Sequence, residues 1–303
     1  MSGLLFHELL PKEYDLVYSY MSAHGDSSCQ HSFVSMYALF EKYGDCICES
    51  DGFLYTLRSR LCDEQYRVYL APMGEGDLKQ AFRNVIEDAH QYGKKAKFIT
   101  LTQRYAEFVQ KELPGVFDIQ EERDLAEYVY RVDSFSTFSG KALKKRRQEV
   151  NQFWTEYGER ASVTRMTPAD VDDVLEFEHE WVRQNSETHD MSALEREARF
   201  GTKMLQNFET FHLAGVVLKI DGKVRGFGFG TKLNDAVFDG LLEKGDREIL
   251  NAYKVLRMEL AKQCAHDCIY ENIEEDLGIP SLRTMKLQYQ PDYLINKFIV
   301  SEK

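Results

Sequence analysis

The chain has 303 residues, a net charge of −12 and a pI near 5.2, with 43% hydrophobic and 13% aromatic residues. This composition excludes a disordered chain and is enough for two cores of ordinary size. The acidic total argues against indiscriminate binding to nucleic acid or membranes, while leaving room for a local basic surface.

No apolar run of about 18 residues is present, so no transmembrane helix is expected. The opening MSGLLFHELLPKEY lacks the basic start and long apolar stretch of a signal peptide. A cytoplasmic protein with reduced cysteines is the expectation. The six cysteines form no CxxC pair; Cys264, His266 and Cys268 are spaced as metal ligands could be, but structural thiols are the plainer reading, and no metal or cofactor is expected.

In chain order, LFHEL reads as a strand, followed by a helix from about Pro11 and another over 31–43. DCICES and FLYTLRSR form a hairpin around Asp51-Gly52, and YRVYLAPM is a third strand. Asp77 caps a helix ending near Gly93, KFITL is a strand, Thr102 opens a short helix, and VFDIQ and EYVYRV are strands. A basic helix over 139–157 follows. The second half opens with a strand at 162–166. Thr167 and Pro168 then start a helix reaching about Gln184, and Ser192 with Glu195 is a capping-box signature for another helix. AGVVLKI, KVRGFGFGTKL and AVFDGLLEK are strands, with a hairpin turn at Asp221-Gly222. ILNAYKVLRMELAKQ is a helix, CIYENI a strand, Pro280 opens a short helix, and YLINKFIV is the last strand.

Both halves run β-α-α-β-β-β-α-β-α-β, with the first adding one more strand. That order resembles the GNAT acyltransferase fold taken twice, an α/β (α+β) architecture of mixed, mostly antiparallel sheets flanked by helices. The expected domains are 1–135, a basic connecting helix over 136–160, and 161–303 carrying the site. Acetyl-CoA enzymes of that fold hold pyrophosphate on a glycine-rich turn before a helix. The corresponding stretches here, EKGDREILNAYK and APMGEGDLKQAF, carry acids and too few small residues. Acyl-CoA chemistry is disfavoured.

Two segments carry a closer resemblance. SGKALKKRRQEVNQF places five cations in seven positions, Lys141, Lys144, Lys145, Arg146 and Arg147, in an acidic chain. ENIEEDLGIPSLRTMKLQYQP places Glu271, Glu274, Glu275 and Asp276 against Gly278 and Pro280, with Arg283 and Lys286 beyond. With Ser139, Gly140, Asn151, Phe153, Asn272, Leu277, Ile279, Leu282, Tyr289 and Pro291, these segments resemble the C-terminal domain of bacterial phosphatidylglycerol lysyltransferases, which are similar to the Fem-type aminoacyl-tRNA-dependent transferases. The chain departs from that pattern at Lys144 (usually His), Gln148 (Asn), Ile273 (Arg), Ser281 (Gly) and Thr284 (Lys).

The resemblance implies an aminoacyltransferase with aminoacyl-tRNA as donor and an unidentified amine or hydroxyl acceptor. Asp276, Glu275 and Arg283 would be catalytic, with Asp276 on an exposed surface. Glu243, Lys244, Tyr253, Asn272, Glu274, Lys286 and Tyr289 would bind substrate, while Lys141, Lys144, Lys145, Arg146, Arg147 and Asn151 would meet tRNA phosphates. An acyl-CoA-dependent N-acyltransferase and a non-catalytic tRNA- or anion-binding scaffold are the competing readings. Each residue also has a plainer explanation: acids ahead of a helix suit its dipole, Tyr253 and Tyr289 suit a core or its rim, and a cation row suits a solvated helix. Oligomeric state, acceptor and transferred group are left open.

Overall fold

The computed structural model describes residues 3–185 and 191–303. The chain forms two compact units. One comprises Met1–Tyr128, Glu275–Thr284 and Leu294–Lys303, and the other comprises Val129–Glu274 and Met285–Tyr293. Residues 275–284 and 294–303, expected in a contiguous second domain, therefore belong to the first unit. The basic segment 136–160 belongs wholly to the second.

Among the described residues, the first sheet runs in the order His7–Glu8, Asp45–Ser50, Phe53–Arg58, Tyr66–Tyr69, Lys95–Thr102, Lys297–Glu302, Phe117–Glu121. Among the described residues of this sheet, only Tyr66–Tyr69 and Lys95–Thr102 pair in parallel; the other neighbouring strands are antiparallel. Asp51 and Gly52 both take positive φ, as a tight two-residue hairpin requires. Asp77 caps the helix Leu78–Gln91 by accepting from Gln80 N. That helix buries Phe82 edge-on to Phe98, with ring centroids 4.9 Å apart.

The second sheet runs Tyr293–Ile295, Glu127–Arg131, Tyr270–Glu275, Val237–Gly245, Lys223–Lys232, Ala214–Ile220, Ala161–Arg165. Glycines alternate along Lys223–Lys232 because the helix Ala252–Gln263 lies on that face; a Cβ at Gly226 would stand 2.8 Å from Leu256 Cδ1. The helix Met191–Leu205 is present, while the Ser192 side chain expected to cap it lies outside the described residues.

The strand expected over 293–300 is two strands in two sheets. Lys297 is the physical reason for the second. It is fully buried in the first unit, where its ammonium lies 2.6 Å from Glu127 Oε1 and 2.5 Å from Ser28 Oγ. Glu127 also accepts from Ser28 Oγ and from Cys29 N. An apolar residue would lengthen the strand's hydrophobic run; the lysine instead ties it to a buried carboxylate. Removing one partner of such a pair strands a buried charge, at about 3–5 kcal/mol. Lys297→Met is expected to lower stability by that amount in urea unfolding, and adding Glu127→Gln should recover much of it.

Candidate functional site

In the second unit, the parallel strands Val237–Gly245 and Tyr270–Glu275 pair only at Val237–Tyr270, Phe238–Glu271 and Asp239–Asn272. Val237–Gly245 continues on its other side against Lys223–Lys232 as far as Gly245. Beyond Asp239 and Asn272 the two parallel strands have no ladder between them. Glu271 sits where this parting begins: a Cβ on Gly240 would come within 3.1 Å of Glu271 Oε1.

Three charged side chains meet in this region. Arg257, from the helix Ala252–Gln263, pairs with Glu243 at 3.2 Å. Its guanidinium also lies 5.3 Å from the Tyr289 ring centroid and 5.9 Å from that of Phe135. Burial pushes the Glu271 carboxyl up to about 8, opposed by Arg257 and reinforced by Glu243. Burial also raises Glu243, against the pull of Arg257. Glu271 Oε2 and Arg257 Nη1 are buried without a hydrogen-bond partner. One acceptor and one donor are thus left open in the same charged cluster, as a reacting polar group would require.

Residues expected to bind substrate shape the strand end instead. Glu274 holds φ at 60°, an unusual conformation for a non-glycine residue. Asn272 Oδ1 accepts from Glu274 N, and the buried Lys286 ammonium donates to the carbonyls of Ile273 and Glu274. Lys286 is therefore a backbone brace and not an exposed phosphate ligand. Tyr289 is a core aromatic, edge-on to Phe135 at 5.6 Å. The Tyr253 ring lies 3.3 Å from where a Gly245 Cβ would stand, so packing explains the single glycine of EKGDREILNAYK. Lys244 is buried, paired with Glu197 and set over Trp181.

The turn between strand and helix is closed upon itself. Asp246 N donates to Arg225 O, Glu248 N to Asp246 Oδ1, Ile249 N to Asp246 O, Leu250 N to Tyr157 Oη and Ala252 N to Ile249 O. Asp246 also pairs with Arg225 at 2.9 Å.

The basic helix spans Lys144–Tyr157 and buries Leu143, Val150 and Phe153 at or beside its start and along one face. Arg146 is engaged by Glu149 and Gln288, and Arg147 by the carbonyls of Phe138 and Gly140. Lys141, Lys144 and Lys145 are exposed and have no carboxylate partner among the described residues; Asn151 is exposed beside them in sequence.

In the first unit, Asp276 is fully buried rather than exposed. Arg283 grips both its oxygens at 2.8 Å, Tyr128 Oη donates to it, Gly278 N donates at 2.9 Å, and Arg123 stands 3.5 Å away. Burial alone would raise its pKa, but the bonds from Arg283, Tyr128 and Gly278 outweigh that and hold it well below the usual carboxylate range. Such a carboxylate is a poor proton acceptor. Arg283 also pairs with Asp124 at 2.6 Å, and a Cβ on Gly278 would lie 2.6 Å from Asp124 Oδ2. Glu275 Oε2 lies 3.9 Å from the Cys29 thiol. Asp276, with Asp124, Arg123 and Arg283, is thus part of a folded ion-pair knot beside Gly278.

All six cysteines are thiols outside any disulfide. Burial pushes the Cys264 and Cys268 thiols up to about 12 and about 11, and His266 Nδ1 faces Gln263 O at 3.2 Å.

The model of the family described as "Phosphatidylglycerol lysyltransferase, C-terminal" matches residues 24–301. The chain belongs to that family. It is similar, at 30% identity and a TM-score of 0.91 over 99% of this chain and 100% of the other, to a conserved protein of unknown function from Bacteroides thetaiotaomicron. L-PGS from Bacillus licheniformis shares the fold, with a TM-score of 0.67 at 14% identity over 100% of this chain and 94% of the other. So does a tandem GNAT protein from the clavulanic acid biosynthesis pathway, at 0.50 and 12% over 99% and 98%. Family and fold fit a transferase. No helix among the described residues is long and apolar enough to cross a membrane.

For this family member, sequence reasoning missed Arg257, Glu271, Glu178 and Trp181. The available signal was weak: Glu271 is a charge inside the otherwise strand-like CIYENI, and Arg257 a charge on an apolar helix. Two predictions follow from burial. Asp276→Asn should lower the urea-unfolding midpoint, since it removes the anion that Arg283, Tyr128 and Gly278 hold. Glu178 and Glu271, both pushed up to about 8 mainly by burial, favour the folded state below the ordinary carboxylate pKa. That stability is lost as pH rises from about 4.5 through 8. Denaturation midpoints should therefore fall between pH 5 and 8, and fall less in Glu178→Gln and Glu271→Gln.

Proposed function

We propose that the chain transfers an aminoacyl group from aminoacyl-tRNA to an amine or hydroxyl acceptor. The observation that carries this reading is the closed turn Asp246–Ala252, whose N–H groups are largely engaged by the chain's own oxygens. A pyrophosphate-bearing acyl donor would need those groups, together with a turn free of buried anions. The alternative anionic handle is a polynucleotide, and Lys141, Lys144 and Lys145 supply exposed cations for it.

The ester of aminoacyl-tRNA is already activated, so the protein has to orient two reactants and handle one proton. The acceptor's nitrogen or oxygen bonds to the ester carbonyl carbon, the ester C–O bond breaks, and the ribose hydroxyl leaves with a proton. Glu271 is the proton-handling group in this proposal, replacing Asp276: its carboxyl is pushed up to about 8 by burial, close to the working pH. Arg257 Nη1, the open donor of the same cluster, suits the oxygen that gains negative charge. The knot around Asp276 holds its own unit's fold.

The test is release of radiolabel from a mixed pool of aminoacyl-tRNAs into a new product, with fractionated bacterial extract as the acceptor source. Enzyme-dependent transfer is expected, with a rate that rises with pH through an inflection near 8 and levels off above it. Glu271→Gln should lower the rate by about 10²–10⁴-fold and abolish that inflection. Lys144→Glu with Lys145→Glu should weaken tRNA binding and flatten its salt dependence, read by filter binding. Absence of transfer together with thermal protection by acetyl-CoA would replace this reading with acyl-CoA chemistry.

A further inference from the structure

A second polar cluster lies in the second unit, away from Glu271 in sequence and built on different helices. The helix Val171–Asn185 contributes Glu178 and Trp181, the helix Met191–Leu205 contributes Glu197 and Gly201, and the strand Val237–Gly245 contributes Lys244. The Lys244 ammonium lies 3.9 Å from the Trp181 ring centroid and 2.5 Å from Glu197 Oε1. Trp181 is fixed in place by its Nε1–H, which donates to Gly245 O at 3.0 Å.

Glu178 completes the cluster and is the unexplained group. It is fully buried, and neither carboxyl oxygen has a hydrogen-bond partner. Its environment contains both Lys244 and Glu197, the charges that act upon it. Gly201 leaves room for the carboxyl: a Cβ there would stand 2.8 Å from Glu178 Oε1 and 2.8 Å from Leu242 Cδ2 and would make both side chains shift. A buried carboxyl with two open acceptors costs stability that an apolar residue would not.

An aromatic face with carboxylates around one ammonium is the chemistry by which proteins recognise organic cations. Here that place is filled from within. Lys244 is 6% exposed at its side chain whereas Glu197 is 44% exposed, so the cluster reaches solvent on the Glu197 side. The flexible four-carbon stem of a lysine can withdraw from such a position without moving the strand. Trp181 and the two carboxyls would keep their arrangement.

We propose that Trp181, Glu197 and Glu178 form a cage for the primary ammonium group of a small ligand, and that Lys244 is its internal occupant, displaced when the ligand binds. Glu178 then gains the donor it lacks. The cage stands on the second unit's geometry alone. If the chain is the transferase proposed above, the ammonium is either the α-ammonium of the donor's aminoacyl group or that of an amine acceptor.

The first test uses the unaltered chain. Lysines are acetylated briefly with acetic anhydride, with and without saturating alaninamide, n-butylamine or N-acetylalaninamide, and Lys244 labelling is read by mass spectrometry against the other lysines. The two ammonium ligands should raise labelling of Lys244 several-fold, and the neutral N-acetyl compound should not. Stronger action by alaninamide assigns the cage to the donor, and stronger action by n-butylamine assigns it to the acceptor. Unchanged or reduced labelling of Lys244 with both amines overturns the proposal.

The second test reads Trp181 emission in a Trp154→Phe background, where it is the sole indole. Lys244→Met should tighten ammonium binding by about ten-fold or more, because the internal competitor is gone. Adding Glu197→Gln should reverse that gain. Equal response to N-acetylalaninamide, or unchanged affinity in a folded Lys244→Met variant, counts against the cage. Neither test involves tRNA, so failure of aminoacyl transfer and failure of the cage are told apart.

Discussion

The arrangement of the second unit depends on two parallel strands that pair for three residues and then part. Past Asp239 and Asn272 neither strand has the other as a hydrogen-bonding neighbour, and the side chains that point into the parting need partners of their own. Glu271 is buried and Glu243 mostly buried there, and carboxyls withdrawn from water demand either a proton or a cation. Arg257 answers that demand from the helix packed on the sheet, and Tyr289 and Phe135 cover its guanidinium. The strand end is then held in a strained bend by Asn272 and Lys286, which bind the backbone around Glu274. A small break in a ladder thus dictates where a helix carries its arginine and where a lysine is buried.

Cations are scarce in this chain, with 38 lysines and arginines against 50 acids, and many of them are committed to interiors. Arg283 serves Asp276, Lys297 serves Glu127, and Arg58 serves Asp45 in the first unit. Arg257, Lys286 and Lys244 are buried or partly buried in the second. Against that background, Lys141, Lys144 and Lys145 are exposed in one short stretch and have no carboxylate partner among the described residues. Their exposure has no packing cause, whereas the neighbouring Arg146 and Arg147 are held by the fold.

The turn Asp246–Ala252 is closed largely by the chain's own oxygens. A turn that opens its N–H groups attracts phosphate; here Asp246 has taken that place with a carboxylate of the chain itself. The single glycine of the turn serves Tyr253 and not a ligand. Fold and family fit a transferase, and the N–H groups of this turn are largely committed to the chain itself.

Local chemistry made much of the fold legible in the sequence. The Asp51-Gly52 and Asp221-Gly222 turns, the Asp77 cap and the run of strands and helices in each half depend on neighbouring residues, and so the sequence by itself determined them. The motifs that place the chain in its family were legible for the same reason. Three things were decided only by tertiary structure. YLINKFIV is divided between two sheets because Lys297 finds a buried glutamate 170 positions earlier in the chain. Asp276 became a buried anion because Arg283, Tyr128 and Arg123 converge upon it. The open atoms of Glu271, Arg257 and Glu178 are defined by what does not reach them. Burial and long-range pairing set the protonation of a carboxyl, and neither has a local period for a sequence to display.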